Sequence, residues 1–366
     1  MTLYQLNWFR FLAACVLGFH FLTGSAIAAG NTSLVYISAS GDNQILLYHL
    51  NTETGELTAK GSFPAENGPG PLTLHPDGKH LYAALRSTKS VGTYELNPKD
   101  GMLKQLAITP VVNNPVYLAI DHSGKFLLMA SYNGDQAATY PLNDDLTVNG
   151  NAATVIATGK NPHSIMTDPS NKFVYIPNCG SDQVQQYHFD AKKGSLNPLR
   201  LAAVSTPEKD GPRHFTFHPT KPWVFVVNEK GSTVTSYEYS PDHGSLKAID
   251  RLPTLPTDYT GKNACADIHV TPDGKYLYAS NRGHDSLAAY AIDGVTGKLK
   301  PLGTTPTEKT PREFDIDPSG DFLIAAGQNS NQLAVYRIDR TSGALKPLKV
   351  YPTGKTPMWV LIRALK

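Results

Sequence analysis

Val270-Thr271-Pro272-Asp273-Gly274-Lys275-Tyr276-Leu277-Tyr278-Ala279 is one copy of a phrase that recurs along the chain. Close copies are Leu74-His75-Pro76-Asp77-Gly78-Lys79 and Ile316-Asp317-Pro318-Ser319-Gly320-Asp321. Weaker ones are Asp121-His122-Ser123-Gly124-Lys125, Asp168-Pro169-Ser170-Asn171-Lys172 and His218-Pro219-Thr220-Lys221. Anchored at the proline position, the copies fall at 76, 122, 169, 219, 272 and 318, in steps of 46, 47, 50, 53 and 46 residues. A period of that length, carried through a whole chain, is the mark of a propeller blade.

Within each period the residues read as strands. Leu81-Tyr82-Ala83-Ala84-Leu85, Phe173-Val174-Tyr175-Ile176, Trp223-Val224-Phe225-Val226-Val227 and Tyr276-Leu277-Tyr278-Ala279 are short β-branched or aromatic runs that end near Asn, Gly or Ser. An alternating stretch such as Val234-Thr235-Ser236-Tyr237-Glu238-Tyr239 follows each run, then a Gly-x-Leu turn at Gly55, Gly101, Gly194, Gly244, Gly297 and Gly343. This predicts an all-β fold with four antiparallel strands per blade. Six anchors leave residues over at both ends. Val35-Tyr36-Ile37-Ser38 falls where Leu81-Tyr82-Ala83-Ala84 falls in the next unit, with no strand before it. Pro357-Met358-Trp359-Val360-Leu361-Ile362 is a first strand with nothing after it. Three strands from the N-terminal side and one from the C-terminus therefore complete a seventh blade.

Residues 1–28 read differently from the rest. Arg10 is their only charge, Phe11 to Leu22 form an apolar run of 12, and Ala26-Ile27-Ala28 supplies the small-x-small pattern of signal cleavage. A bilayer span needs about 20 apolar residues, so a membrane anchor is disfavoured. Leu12-Ala13-Ala14-Cys15 fits a lipobox by letter but lies too close to Arg10. The expectation is a cleaved signal over 1–28, a single propeller domain over 29–366, and a periplasmic or secreted protein with no membrane association after cleavage. The remaining 338 residues carry 32 basic and 31 acidic side chains, which gives no excess to hold a nucleic-acid backbone. Two cysteines remain, Cys179 and Cys265, too few for a disulfide framework or a metal cluster of their own; both are expected as free thiols.

Aligned as columns, the repeat singles out a site. Six residues before each anchor stand Gly70, Val116, His163, Arg213, Ala266, Arg312 and Met358. Ten residues after it stand Ser40, Arg86, Tyr132, Cys179, Glu229, Arg282 and Gln328. The start of a blade's first strand and the end of its second lie at the same edge, so both columns ring one mouth of the central channel. They gather His163, Arg86, Arg213, Arg282, Arg312 and Glu229 in a chain of only 17% charged residues. Such a cluster is costly to desolvate unless it is paired or faces an anionic ligand. Asp267 and His269 alternate on one strand face near this mouth and are read as partners of the site. His214 and His218 look like a metal pair, but four strand residues span about 13 Å and cannot share an ion. His75 and His218, beside the repeat's proline, read as turn or packing residues. No Gly-x-Ser-x-Gly elbow or phosphate loop is present.

Gly211-Pro212-Arg213-His214-Phe215-Thr216-Phe217-His218-Pro219, Asn228-Glu229, Ala266-Asp267-Ile268-His269-Val270-Thr271-Pro272-Asp273-Gly274, Asn281-Arg282, Pro311-Arg312 and Gly354-Lys355-Thr356-Pro357-Met358-Trp359-Val360 give the chain a family resemblance. From about Leu34 to the C-terminus it resembles the seven-bladed propeller lactonases, a family that includes propeller-type 6-phosphogluconolactonase and carboxymuconate lactonizing enzyme. The resemblance implies a catalytic set of His163, Arg213, Glu229 and Arg282; the columns add Arg86 and Arg312, and the strand face adds Asp267 and His269, around the substrate. The resemblance also implies a sugar lactone as partner and hydrolysis to the aldonate with no cofactor and no metal. An export signal points away from a phosphorylated sugar, since sugar phosphates are mainly cytosolic. The other readings are a carboxymuconate-type cycloisomerase and a non-catalytic envelope propeller that binds partners; within the latter, the missing Trp-Asp and Gly-Gly pairs disfavour WD40 and kelch types.

Overall fold

The computed structural model of the protein describes residues 31–365, so the expected signal segment, residues 1–28, lies outside them. Seven four-stranded antiparallel sheets follow one another along the chain. Blades 2 to 7 are built from consecutive strands over residues 69–110, 117–157, 166–205, 212–253, 264–306 and 311–352. Blade 1 joins Thr32–Ala39, Gln44–Asn51 and Leu57–Pro64 to the C-terminal strand Pro357–Ala364. In that closure the pairing runs from Ser33 opposite Ala364 to Ala39 opposite Pro357. The seven-bladed propeller sealed by both chain ends is the architecture the repeat predicts.

Burial follows from the position of each strand in its blade. The second strands Phe173–Asn178, Trp223–Asn228 and Phe322–Gly327 are buried throughout, because both faces meet neighbouring blades. Outer strands such as Leu345–Pro352 are mostly exposed. The core is therefore a ring of inter-blade layers, one of which packs Tyr276, Tyr278 and Leu287 of blade 6 against Phe314, Leu323 and Tyr336 of blade 7.

The repeated phrases have separate tasks. In the first turn, the buried Asp168 accepts the Lys172 and Phe173 N–H groups on one oxygen and Ser170 on the other. Asp121 and Asp317 repeat this arrangement in blades 3 and 7. In blades 2 and 5 a histidine takes the turn instead. Nε2 of His75 and of His218 reaches the carbonyls of Gly124 and Gly274 in the following blade. Gly-x-Leu serves the interfaces. Gly244 has φ of +69°, and a Cβ there would lie 2.3 Å from the Phe173 ring, so the turn closes onto the blade before it only as glycine. Its carbonyl accepts the Tyr175 hydroxyl at 2.8 Å. Cys179 and Cys265 are buried and free, as expected.

One irregularity positions the site. At the channel mouth, pairing between the first two strands slips by one residue in blades 5 and 7. Pro212 faces Asn228 while His214 faces Val227, and Pro311 faces Gly327 while Glu313 faces Ala326. Blade 6 slips between Cys265 and Ile268. Such a bulge sets two residues opposite one and re-aims the side chains beside it. Arg213 with His214, and Arg312 with Glu313, both enter the buried channel region although they are sequence neighbours.

Candidate active site

Glu229, directly after the second strand of blade 5, is the hinge of the mouth. Its Oε2 lies 3.1 Å from Arg213 Nε and 3.0 Å from Arg282 Nη2. Arg213 is wholly buried; its Nη1 donates to the Ala266 carbonyl of blade 6 and its Nη2 lies 3.6 Å from Glu313 Oε1. Its contacts to the two carboxylates are ionic and not aligned hydrogen bonds. Arg282 donates to the carbonyls of Ala264 and Cys265 at 3.2 and 3.0 Å. Both arginines thus tie neighbouring strands and blades together while keeping Glu229 between them.

His163 stands beside this bridge. It lies between the isolated bridge Pro162 to Asn178 and the short first strand Met166–Thr167 of blade 4, held by its N–H on the Pro177 carbonyl. Its ring meets Tyr132 and His214 edge-on, at centroid distances of 5.4 and 5.1 Å. Burial, then the charge of Arg213, holds its pKa well below the ordinary histidine value, so the ring is neutral.

Arg86 and Arg312 complete the cationic rim. Arg86 donates to Asn114 at 3.4 Å and folds over Gly70, where a Cβ would come within 2.7 Å of its Cδ. The glycine in the first column thereby makes room for the arginine in the second. Burial, then Arg213, lowers the Arg312 pKa to about 9. Among the described residues neither Arg86 nor Arg312 has a carboxylate within ion-pair distance. Four guanidinium groups therefore face Glu229 and the buried Glu313, whose carboxyl is pushed well above its ordinary range by burial and by the charge of Asp267, a balance that favours an anion or a developing negative charge.

Asp267 and His269 lie deeper than expected. Asp267 is buried beneath the mouth; its Oδ1 accepts His214 Nδ1 and its Oδ2 accepts His269 Nε2, both at 2.9 Å. His269, expected near the same mouth, instead lines a cavity of about 230 Å³ with Tyr117, Met166, Asp315 and Trp359. Two residues along a first strand carry the side chain about 7 Å further down the channel. His269 is linked to His214 through Asp267.

The sequence reading weighed His214 only as half of a metal pair and passed over Glu313. Each directly follows a column residue, and regular alternation would turn it away from Arg213 or Arg312; the bulge is what brings it in. The column one place further on, which holds Tyr117, Ser164, His214, Asp267, Glu313 and Trp359, carried the available signal. His214, Asp267 and Glu313 have potential ligand atoms within 4.8 Å of one another. His214 Nδ1 is bonded to Asp267, and Glu313 faces Arg213, with Arg312 next to it. A cation would enter against those guanidinium charges, so the cluster reads as an ion-pair network.

Residues 30–362 match the family model described as lactonase, 7-bladed beta-propeller. The chain belongs to that family. Its chemistry is accordingly that of a lactonase, a hydrolase that opens a cyclic ester. Among curated members it is 34% identical to the 6-phosphogluconolactonase of Serratia proteamaculans over 284 residues, 78% of this chain and 85% of that one. A match to the 6-phosphogluconolactonase of Cronobacter sakazakii, 34% identical, spans 48% of this chain and 52% of the relative. The periplasmic gluconolactonase of Pseudomonas aeruginosa shares the lactonase fold with a TM-score of 0.84 at 24% identity, over 92% of this chain and 99% of the other.

Proposed function

We propose that this lactonase hydrolyses a six-membered sugar lactone of the glucono-1,5-lactone type to the open aldonate. The observation that carries the reading is the Arg213–Glu229–Arg282 bridge beside a neutral, buried His163 in an arginine-rich mouth. The curated relatives are 6-phosphogluconolactonases, which supports a gluconolactone skeleton and leaves its phosphate to the test below. Water attack on the ring carbonyl needs a proton acceptor, and ring opening needs a donor for the leaving oxygen. His163 takes the proton and returns it, Glu229 holds Arg213 and Arg282 in place, and these arginines face the oxyanion. The product is itself a carboxylate, so Arg86 and Arg312 serve the charge that hydrolysis creates. Asp267 contributes from below, through His214. These steps call on no metal or cofactor.

Residues 1–28 are proposed to direct export and to be removed, leaving 29–366 as one propeller domain in the periplasm or outside the cell. That location selects the unphosphorylated lactone. The direct test compares kcat/KM for glucono-1,5-lactone and its 6-phosphate ester. The free lactone should be turned over at least as well; a tenfold preference for the ester would reassign Arg86 and Arg312 to a phosphate. Glu229→Gln and Arg213→Ala should each lower kcat by about 10² to 10³. Activity that survived both substitutions would remove the mechanism.

A further inference from the structure

Four ionisable side chains run in sequence from the mouth into the channel: His163, His214, Asp267 and His269. Asp267 fixes the protons of the inner members. Both of its oxygens are engaged, Oδ1 by His214 Nδ1 and Oδ2 by His269 Nε2 at 2.9 Å and by the Phe314 N–H at 3.2 Å. Burial opposes its ionisation, yet the charge of His269 and the two histidine bonds outweigh it and hold the carboxyl well below its ordinary range. Asp267 is thus a carboxylate and can only accept. His214 must therefore carry its proton on Nδ1, which leaves a lone pair on Nε2.

His214 Nε2 is buried and without a partner, and so is His163 Nδ1. A buried polar nitrogen left unpaired costs free energy, and two such nitrogens on adjacent rings can relieve each other. With the ring centroids 5.1 Å apart, a small ring rotation or one bridging water links them. The link has one workable direction: His163 Nδ1–H donates and His214 Nε2 accepts. The reverse would need a proton on His214 Nε2 and a bare Nδ1 against a carboxylate. Tyr117 and Trp359 pack on the His214 ring at 5.1 and 5.9 Å and hold its plane.

We propose that His214, Asp267 and His269 are positioning residues that set His163 in its Nδ1–H tautomer, leaving the His163 Nε2 lone pair for the mouth as the base. This rests on the lactonase reading, in which His163 exchanges protons with the reactants. As water's oxygen bonds to the lactone carbonyl carbon, one of its O–H bonds breaks and the proton passes to His163 Nε2. The imidazolium so formed keeps its Nδ1–H on His214, which leans on the Asp267 carboxylate. When the ring C–O bond breaks, the proton on Nε2 goes to the departing oxygen and the neutral tautomer returns. The resulting carboxylic acid then loses its proton to solvent.

The test is nitrogen-15 NMR of His163 in the intact protein, joined to kinetics of Asp267→Asn and His269→Gln. Wild type should show His163 with the proton on Nδ1. Asp267→Asn should lose that preference and lower kcat by about 100-fold or more with KM within about twofold, because a carboxamide no longer dictates the tautomer. His269→Gln, a change at the far end of the channel, should lower kcat several-fold at unchanged KM and move the acid limb of the pH profile. Wild-type His163 protonated on Nε2, or an Asp267→Asn protein with tautomer and kcat unchanged, would overturn the proposal. Should Asp267→Asn fail to fold, the wild-type spectrum and His269→Gln decide alone. A wild-type protein that opens no lactone would remove the lactonase reading, while the NMR would still judge the positioning network.

Discussion

Arg213 is wholly buried between two acidic side chains. Taking a guanidinium out of water costs several kcal/mol, which its carboxylate neighbours Glu229 and Glu313 and the Ala266 carbonyl offset. Its charge then acts on everything around it. Together with burial it keeps His163 neutral, and with burial and against Asp267 it drives His214 down to about 3. The sign for catalysis follows. A base works in its unprotonated form, and a lowered pKa keeps that form populated to more acidic pH. The acid limb of kcat/KM should accordingly lie below the ordinary histidine value of about 6.5. A limb at or above that value in a pH-rate profile would mean that His163 is not the group titrating.

Among the elements, the first strand of each blade carries most of the chemistry, and its departure from regular pleating is what makes the site. The columns through the repeat were legible because residues at equal positions of a repeat occupy equivalent places around a ring. His163, Arg213, Glu229 and Arg282 could be found that way. His214 and Glu313 could not, because reading a strand with period two assumes an unbroken ladder, and the bulges at Arg213 and Arg312 break it. The depth of His269 was not legible for the converse reason: the same face of a strand is not the same depth in a channel. The turns are the part of the repeat with a purely structural task. Asp168 is fully buried, and four hydrogen bonds converge on its carboxylate from Ser170, Lys172 and Phe173. Asp168→Ala would orphan these donors, one of them the buried Phe173 N–H, and should cost about 2–4 kcal/mol. Denaturant unfolding checks this; a loss under about 1 kcal/mol would mean that water replaces the carboxylate there.

For the whole molecule, closure governs both stability and function. The mouth needs every blade in place, since Glu229 of blade 5 is clamped by Arg282 of blade 6 and Arg213 reaches Glu313 of blade 7. This ring was readable from two unfinished ends of the sequence, a second strand lacking a first and a first lacking a second. The net charge of +2 hides the arginine cluster, because composition averages over a surface that the fold then sorts. Pro357–Ala364 closes the ring non-locally: Val360 and Ile362 pack in the layer between blades 1 and 7, and the buried Met358 lies beside Gln328 of blade 7. At about 1.5–3 kcal/mol for each buried side chain, these three contribute roughly 5–9 kcal/mol. That is of the order of the whole net stability of a folded protein, about 5–15 kcal/mol. Deleting residues 357–366 should therefore abolish cooperative unfolding and lactonase activity together, as read by calorimetry and lactone turnover. A synthetic 357–366 peptide should restore part of both, since the edge left by Thr32–Ala39 keeps its pairing groups free. A truncated protein that melts near the wild-type temperature would show that the other six blades hold the ring without its clasp.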